Sequence, residues 1–218
     1  MEIIRLPLNP FQMNCYICYD KSTLDCFIFD PGVYYKEEKE KLKNIIESKT
    51  LKVKKIFNTH GHLDHILGNE YAIKLTGAPV YAHESDIYFF DNAVEQARLF
   101  NIEIDVPSQP DKLISVDDVY NLGESTFRIL HTPGHSDGSL SFINDENKFI
   151  ICGDLVFQGS VGRTDLPGGN MELLLDSVKK LFNSVDDDYT LLPGHMSETT
   201  VGNERNYNQF LIGLYGKD

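Results

Sequence analysis

Basic residues are scarce: 20 lysines and arginines stand against 33 aspartates and glutamates in 218 residues, for a formal net charge of −13 at pH 7. That deficit argues against nucleic acid as a partner, because phosphate binding draws its affinity from clustered Lys and Arg. It also leaves no polybasic segment for an anionic membrane. No apolar run approaches the roughly 18 residues of a spanning helix. Met1-Glu2-Ile3-Ile4-Arg5-Leu6 lacks the basic, apolar and small-residue regions of a secretory signal, so a cytoplasmic protein without a membrane partner is expected. Low-complexity tracts and heptads are missing too. Cysteines number four, and without a secretory signal they are not expected to form a disulfide framework. Cys15-x-x-Cys18 has redox or zinc spacing, but it falls in a strand-like run, Met13 to Tyr19, where an odd spacing sends the two sulfurs to opposite faces. Structural thiols are the expectation.

What is present suits one globular domain over residues 1–218, with room for internal pseudo-symmetry: 41% of the residues are apolar and 24% charged. Strands are expected at Ile3 to Leu8, Met13 to Tyr19, Asp25 to Phe29 and Val53 to Phe57, with Asp30-Pro31-Gly32 read as a turn. Helices are expected at Glu37 to Ser48, from Ile66 to Thr76, and through Glu84 to Phe100; Asn101 to Gln109 reads as a loop. In the second half, strands at Val119 to Leu122, Thr126 to Leu130, Ser139 to Ile143, Phe149 to Cys152 and Tyr189 to Leu192 surround a helix, Met171 to Phe182. A closing helix from about Val201 is expected to turn Tyr207, Phe210, Leu211 and Leu214 inward.

The chemistry concentrates in Thr59-His60-Gly61-His62-Leu63-Asp64-His65, directly after the strand end Ile56-Phe57. Histidines at i and i+2 point the same way in extended backbone, so His60 and His62 can grip one ion. Asp64 and His65 fall beyond the extended part and address a neighbouring position, so the segment can serve two ions. Three further strand ends carry comparable groups: His135 in His131-Thr132-Pro133-Gly134-His135, Asp154 after Ile150-Ile151-Cys152-Gly153, and His195 in Pro193-Gly194-His195. His131 reads as a sheet-end residue and His83, before an acidic helix start, as structural. The glycine-rich stretch Gln158 to Asn170 has no Gly-Lys-Ser or Gly-Lys-Thr ending, so a phosphate cradle is not expected.

In order and rough spacing, His60-x-His62-x-Asp64-His65, His135, Asp154 and His195 resemble the metallo-β-lactamase superfamily along the whole chain. The resemblance implies an α+β fold, a four-layer αββα sandwich. It also implies His60, His62 and His135 as ligands of a first metal, Asp64, His65 and His195 as ligands of a second, and Asp154 as the bridge. The metals expected are one or two zinc ions, with iron and manganese also suited to such ligands. Within the superfamily the chain looks like the short glyoxalase II-like branch, through Pro193-Gly194-His195 and Thr199-Thr200-x-Gly202-x-Glu204-Arg205. A counterpart of the C-terminal helical substrate-binding domain of full-length glyoxalase II is not expected after His195. Aspartate at 154, rather than the cysteine of the commonest β-lactamases, points away from antibiotic hydrolysis.

The implied reaction is hydrolysis of a small acyl thioester, S-lactoylglutathione or a relative, by a metal-bound hydroxide, with Asp64 and Asp154 catalytic. Arg163 matches a glutathione-contacting lysine of glyoxalase II and is the candidate substrate-binding residue, although it can equally pair with Asp165. The tyrosine two places beyond the last ligand histidine of that enzyme is replaced here by Ser197. An alternative comes from Gly162-Arg163-Thr164-Asp165, which resembles the persulfide dioxygenases, whose single iron would use His60, His135 and Asp154.

Overall fold

The computed structural model describes residues 1–104 and 107–215. Two residues of the expected loop Asn101 to Gln109, 105 and 106, therefore lie outside the described residues. The chain forms two compact units, one of residues 1–114 with 121–125, the other of residues 115–120 with the chain from Thr126 onward.

In the first unit a six-stranded sheet runs in sequence order through β1 (Glu2–Leu8), β2 (Met13–Tyr19), β3 (Asp25–Phe29), β4 (Lys52–Phe57), β5 (Val80–Ala82) and β6 (Lys112–Leu113). The first three strands are antiparallel neighbours, whereas β3, β4, β5 and β6 pair in parallel. Parallel neighbours need crossovers. The first is α1 (Lys36–Ser48), whose Leu42 and Ile46 are buried in the same cluster as Ile17, Ile28 and Ile56. Its start is fixed by Glu38, whose carboxylate accepts from the backbone N–H groups of Tyr34 (2.8 Å), Tyr35 (3.0 Å) and Asn9 (2.6 Å).

The helix expected from Ile66 to Thr76 is two, α2 (Leu63–Ile66) and α3 (Asn69–Thr76). Gly68 separates them because the chain runs against Pro31 there: a Cβ at Gly68 would lie 1.8 Å from the Pro31 carbonyl oxygen. Likewise Glu84 to Phe100 breaks into a 3-10 turn, α4 (Ile87–Asp91) and α5 (Ala93–Leu99).

The second sheet contains β7 (Val119–Leu122), β8 (Ser125–His131), β9 (Leu140–Asn144), β10 (Phe149–Gly153), β13 (Thr190–Pro193) and β14 (Thr199–Thr200), in the order β14-β13-β10-β9-β8-β7. Between β10 and β13 lie a hairpin of β11 (Val156–Phe157) and β12 (Ser160–Val161), whose second strand falls in the glycine-rich stretch Gln158 to Asn170, and then α6 (Met171–Asn183). Leu174, Val178, Leu181 and Phe182 of α6 are buried with Ile143, Ile150 and Leu191. Asn170 caps it, its side chain accepting from the Leu173 N–H at 3.1 Å. Met171, which begins the first turn, is exposed.

The chain closes with α7 (Val201–Tyr207) and α8 (Ile212–Tyr215). Leu211 is fully buried as expected, but Tyr207 is 75% and Phe210 52% exposed. The helix stops at Tyr207, and the break at Asn208 changes the phase on which the inward reading of those two aromatics depended.

All four cysteines are buried free thiols. Cys15 packs in the cluster with Ile17 and Tyr19, on the face opposite to Cys18, as the odd spacing requires. Burial pushes the thiols of Cys15 and Cys18 well up, and that of Cys152 up to about 12. A disulfide-exchange thiol reagent at neutral pH is therefore expected to label less than one equivalent in the native protein and four after unfolding. Rapid labelling of the folded chain would contradict the structural reading.

Candidate metal centre

The first unit delivers His60, His62, Asp64 and His65 from the end of β4. His60, His62 and His65 are all buried, and their rings are gathered: the His60 ring centroid lies 4.8 Å from that of His62 and 4.0 Å from that of His65. Three imidazolium charges at such spacing would repel strongly in a buried environment, so the set is suited to neutral nitrogen donors. Nε2 of His65 is 3.7 Å from Oδ2 of Asp64.

The residues that orient these four were not singled out in the sequence. Asp30, read as part of a turn, ends β3 with its carboxylate buried; it accepts from the Thr59 N–H (2.7 Å) and hydroxyl (2.8 Å) and lies 3.0 Å from Nδ1 of His65. A carboxylate behind a ligand histidine fixes its ring and leaves the other nitrogen to face an ion. Oγ1 of Thr59 is in turn 3.1 Å from Nδ1 of His60. Asp86 accepts from the Gly61 N–H at 2.7 Å, and a Cβ at Gly61 would meet Asp86 and Phe89 at 2.9 Å, so only glycine fits between the two histidines. Phe89 packs edge-on against the His62 ring with centroids 4.6 Å apart. Asn9 donates to the Asp64 carbonyl at 2.9 Å. His83, in keeping with a structural role, accepts from the Ser85 N–H at Nδ1 (3.3 Å).

The second unit supplies His135, Asp154 and His195. Asp154 and His195 follow neighbouring parallel strands, β10 and β13, which are tied at their ends by the Gly194 N–H donating to the Gly153 carbonyl at 2.8 Å. The His135 loop is held by α6: Ser177 donates to the Pro133 carbonyl (2.7 Å), and a Cβ at Gly134 would lie 2.2 Å from the Leu174 nitrogen. Nδ1 of His135 donates to the Arg163 carbonyl at 2.8 Å, leaving Nε2 as the lone-pair nitrogen. That Nε2 and Nε2 of His195 each stand 3.5 Å from Oδ2 of Asp154.

These spacings test whether the residues fit metal ions. Two N or O ligands at about 2.0 to 2.1 Å from a tetrahedral ion lie roughly 3.4 Å apart. The two 3.5 Å separations and the 3.7 Å separation of Asp64 and His65 have that size, whereas a charge-assisted hydrogen bond would close to about 2.7 to 2.9 Å. The donor sets therefore suit divalent metals.

His131, the sheet-end histidine, donates from Nε2 to the Asp137 carbonyl at 2.8 Å. Arg163 forms a bidentate pair with Asp165, both contacts 2.7 Å, which holds the Asp165 carboxyl down at about 2. With its side chain 55% exposed, this is a surface ion pair. Among the described residues no helix is long and apolar enough to cross a membrane.

The sequence matches the profile of the Metallo-beta-lactamase superfamily over residues 8–195. It is 35% identical over 217 residues to hydroxyacylglutathione hydrolase GloC of Haemophilus influenzae, covering 97% of this chain and 98% of that one. Among solved structures, the B3 metallo-beta-lactamase BLEG-1 aligns with a TM-score of 0.88 at 33% identity, covering 96% of this chain and 99% of that one. TTHA1623 in a di-iron-bound form aligns with a TM-score of 0.85 at 33% identity, covering 95% and 100%. The chain thus has the α+β fold of these proteins and belongs to the metallo-beta-lactamase superfamily.

Proposed function

We propose that the chain works as one hydrolase domain that cleaves a small acyl thioester at a two-ion centre. His60, His62 and His135 would bind one ion, Asp64, His65 and His195 the other, and Asp154 both. The observation that carries this reading is the spacing of Asp154 from His135 and His195: one carboxylate oxygen stands at ligand-to-ligand distance from two imidazole nitrogens. Superfamily membership and the similarity to GloC support it further.

When bound, two divalent ions supply an acidified water and an electrostatic sink for the oxyanion of an attacked carbonyl. The protein's part is positional. Asp30 and Thr59 set the rings of His65 and His60, the Arg163 carbonyl sets His135, and Asp64, partly exposed, would orient the attacking water. Zinc is the metal we propose first, with iron next given the di-iron state of TTHA1623. Glutathione thioesters head the substrate class, in the cytoplasm. Assaying the metal-loaded protein against a panel of thioesters, with a β-lactam and oxygen uptake on a persulfide as comparison arms, tests the reading: rapid thioester turnover supports it, whereas oxygen consumption without thioesterase activity would replace it with a dioxygenase.

Arg163 is proposed to hold the anionic end of the substrate, exchanging the exposed Asp165 for a substrate carboxylate. A hydrogen bond to a charged group contributes about 1.5 to 3 kcal/mol. Arg163→Ala should then raise KM roughly ten- to a hundredfold for an anionic thioester and leave a neutral one of similar size nearly unchanged. Stability should change little, because an exposed pair contributes about 0 to 1 kcal/mol. Equal kinetic losses on both substrates with a lowered melting temperature would assign Arg163 to the Asp165 pair instead.

A further inference from the structure

Glu204 is fully buried in the first turn of α7, yet its carboxylate does not cap that helix. Thr200 caps α7, its hydroxyl accepting from the Asn203 N–H at 3.1 Å. The Glu204 carboxylate instead accepts four hydrogen bonds. Oε1 takes the Thr199 hydroxyl (2.6 Å) and the Asn203 amide (2.8 Å), and Oε2 takes the Asn208 amide (2.8 Å) and the backbone N–H of Gly159 (2.8 Å). The last of these reaches across 45 residues to the turn of the β11–β12 hairpin, where Gly159 has a φ of +70°. Asn208, held by Glu204, also donates to the next carbonyl of that turn, Ser160, at 2.9 Å. One buried carboxylate thereby fixes two successive backbone groups of the hairpin.

That hairpin touches each metal-binding residue of the second unit. It begins directly after Asp154 and Leu155, and on leaving it Gly162 passes so close to Asp154 that a Cβ there would lie 1.9 Å from the Asp154 carbonyl oxygen. The carbonyl of Arg163, one residue further, receives the His135 Nδ1 proton. Phe157 presents its ring edge-on to His195, with centroids 6.0 Å apart.

We infer that Glu204 is a positioning residue for His135, Asp154 and His195, acting through the β11–β12 hairpin. This rests on the two-ion reading above. An ionised carboxylate is what four converging donors require; an amide would turn its NH2 group toward donors on one side and undo that half of the clamp.

Glu204→Gln is the direct test, with Thr199→Val as the control that removes a Glu204 contact away from the hairpin. Zinc-loaded wild type and variants are titrated with a graded chelator, and cobalt-loaded protein is followed by its visible spectrum. Outer-shell partners typically change metal affinity about 10- to 100-fold. Glu204→Gln should weaken zinc retention by that factor and alter the cobalt spectrum. It should also lower kcat more than KM, with a melting temperature in the metal-free state no lower than that of Thr199→Val. If Glu204→Gln does not fold, Asn208→Ala, which cuts the Ser160 link, is expected to show the same loss of retention. Wild-type zinc retention and cobalt spectrum in a variant that is merely less stable would overturn the inference. Failure of the wild type itself to hold metal would instead count against the two-ion reading.

Discussion

Stripping the metal-loaded protein with a strong chelator should abolish thioester hydrolysis and lower the melting temperature by about 8 to 16 °C, with both restored by returning zinc. The size follows from linkage. A ligand present at about 1,000 times its Kd stabilises the folded state by about 4 kcal/mol, and in a domain of about 150 to 250 residues each kcal/mol shifts the midpoint by about 2 to 4 °C. The direction follows from the site. His60, His65 and His135 are buried, and Nε2 of His65 and Nε2 of His135 stand at ligand-to-ligand distance from carboxylate oxygens of Asp64 (3.7 Å) and Asp154 (3.5 Å), a spacing that only the folded chain offers an ion. A melting temperature and activity indifferent to chelation would leave these residues without a metal role. Scanning differential calorimetry on loaded, stripped and reconstituted samples makes the measurement.

Asp154→Asn should reduce kcat/KM by more than about a hundredfold. Loss of an outer-shell partner alone costs about 10- to 100-fold, and a carboxylate proposed to touch both ions must exceed that. The amide nearly matches the shape of Asp154 but removes the charge that sits 3.5 Å from both His135 and His195. Its fold should survive, because β10 and β13 are joined through backbone at Gly153 and Gly194 rather than through this side chain. The discriminating comparison is activity against stability in the metal-free state. A variant keeping more than about a tenth of the activity at full metal content would remove Asp154 from the chemistry.

What could be read from the sequence depended on range. The histidine cluster declares itself locally, because four ligand-type side chains fall within six positions after a strand, and the same strand-end logic picks out His135, Asp154 and His195. The strands at Met13–Tyr19 and Asp25–Phe29 follow from their apolar runs and come out as expected. Groups that orient these side chains are defined instead by partners far along the chain. Asp30 ends an apolar strand much as Asp154 does, but Asp-Pro-Gly also spells a turn, and its real partner, Thr59, lies 29 residues on. Asp86 is 25 residues from Gly61, and as one acid in Glu84-Ser85-Asp86 it looks like an ordinary helix start. The β11–β12 hairpin has strands of two residues, too short for any alternation to register. Tyr207 and Phe210 are exposed for a different reason: the helical spacing that groups them with Leu211 and Leu214 does not continue across Asn208, where α7 ends.

Counting ions per chain tests the central claim most directly. Elemental analysis of protein purified with excess zinc and then freed of loosely held metal should give two ions per chain in the wild type and one in Asp64→Ala, which removes a carboxylate proposed to bind one ion only. A wild type that holds no metal after zinc loading, or an Asp64→Ala variant that still holds two, would contradict the two-ion account.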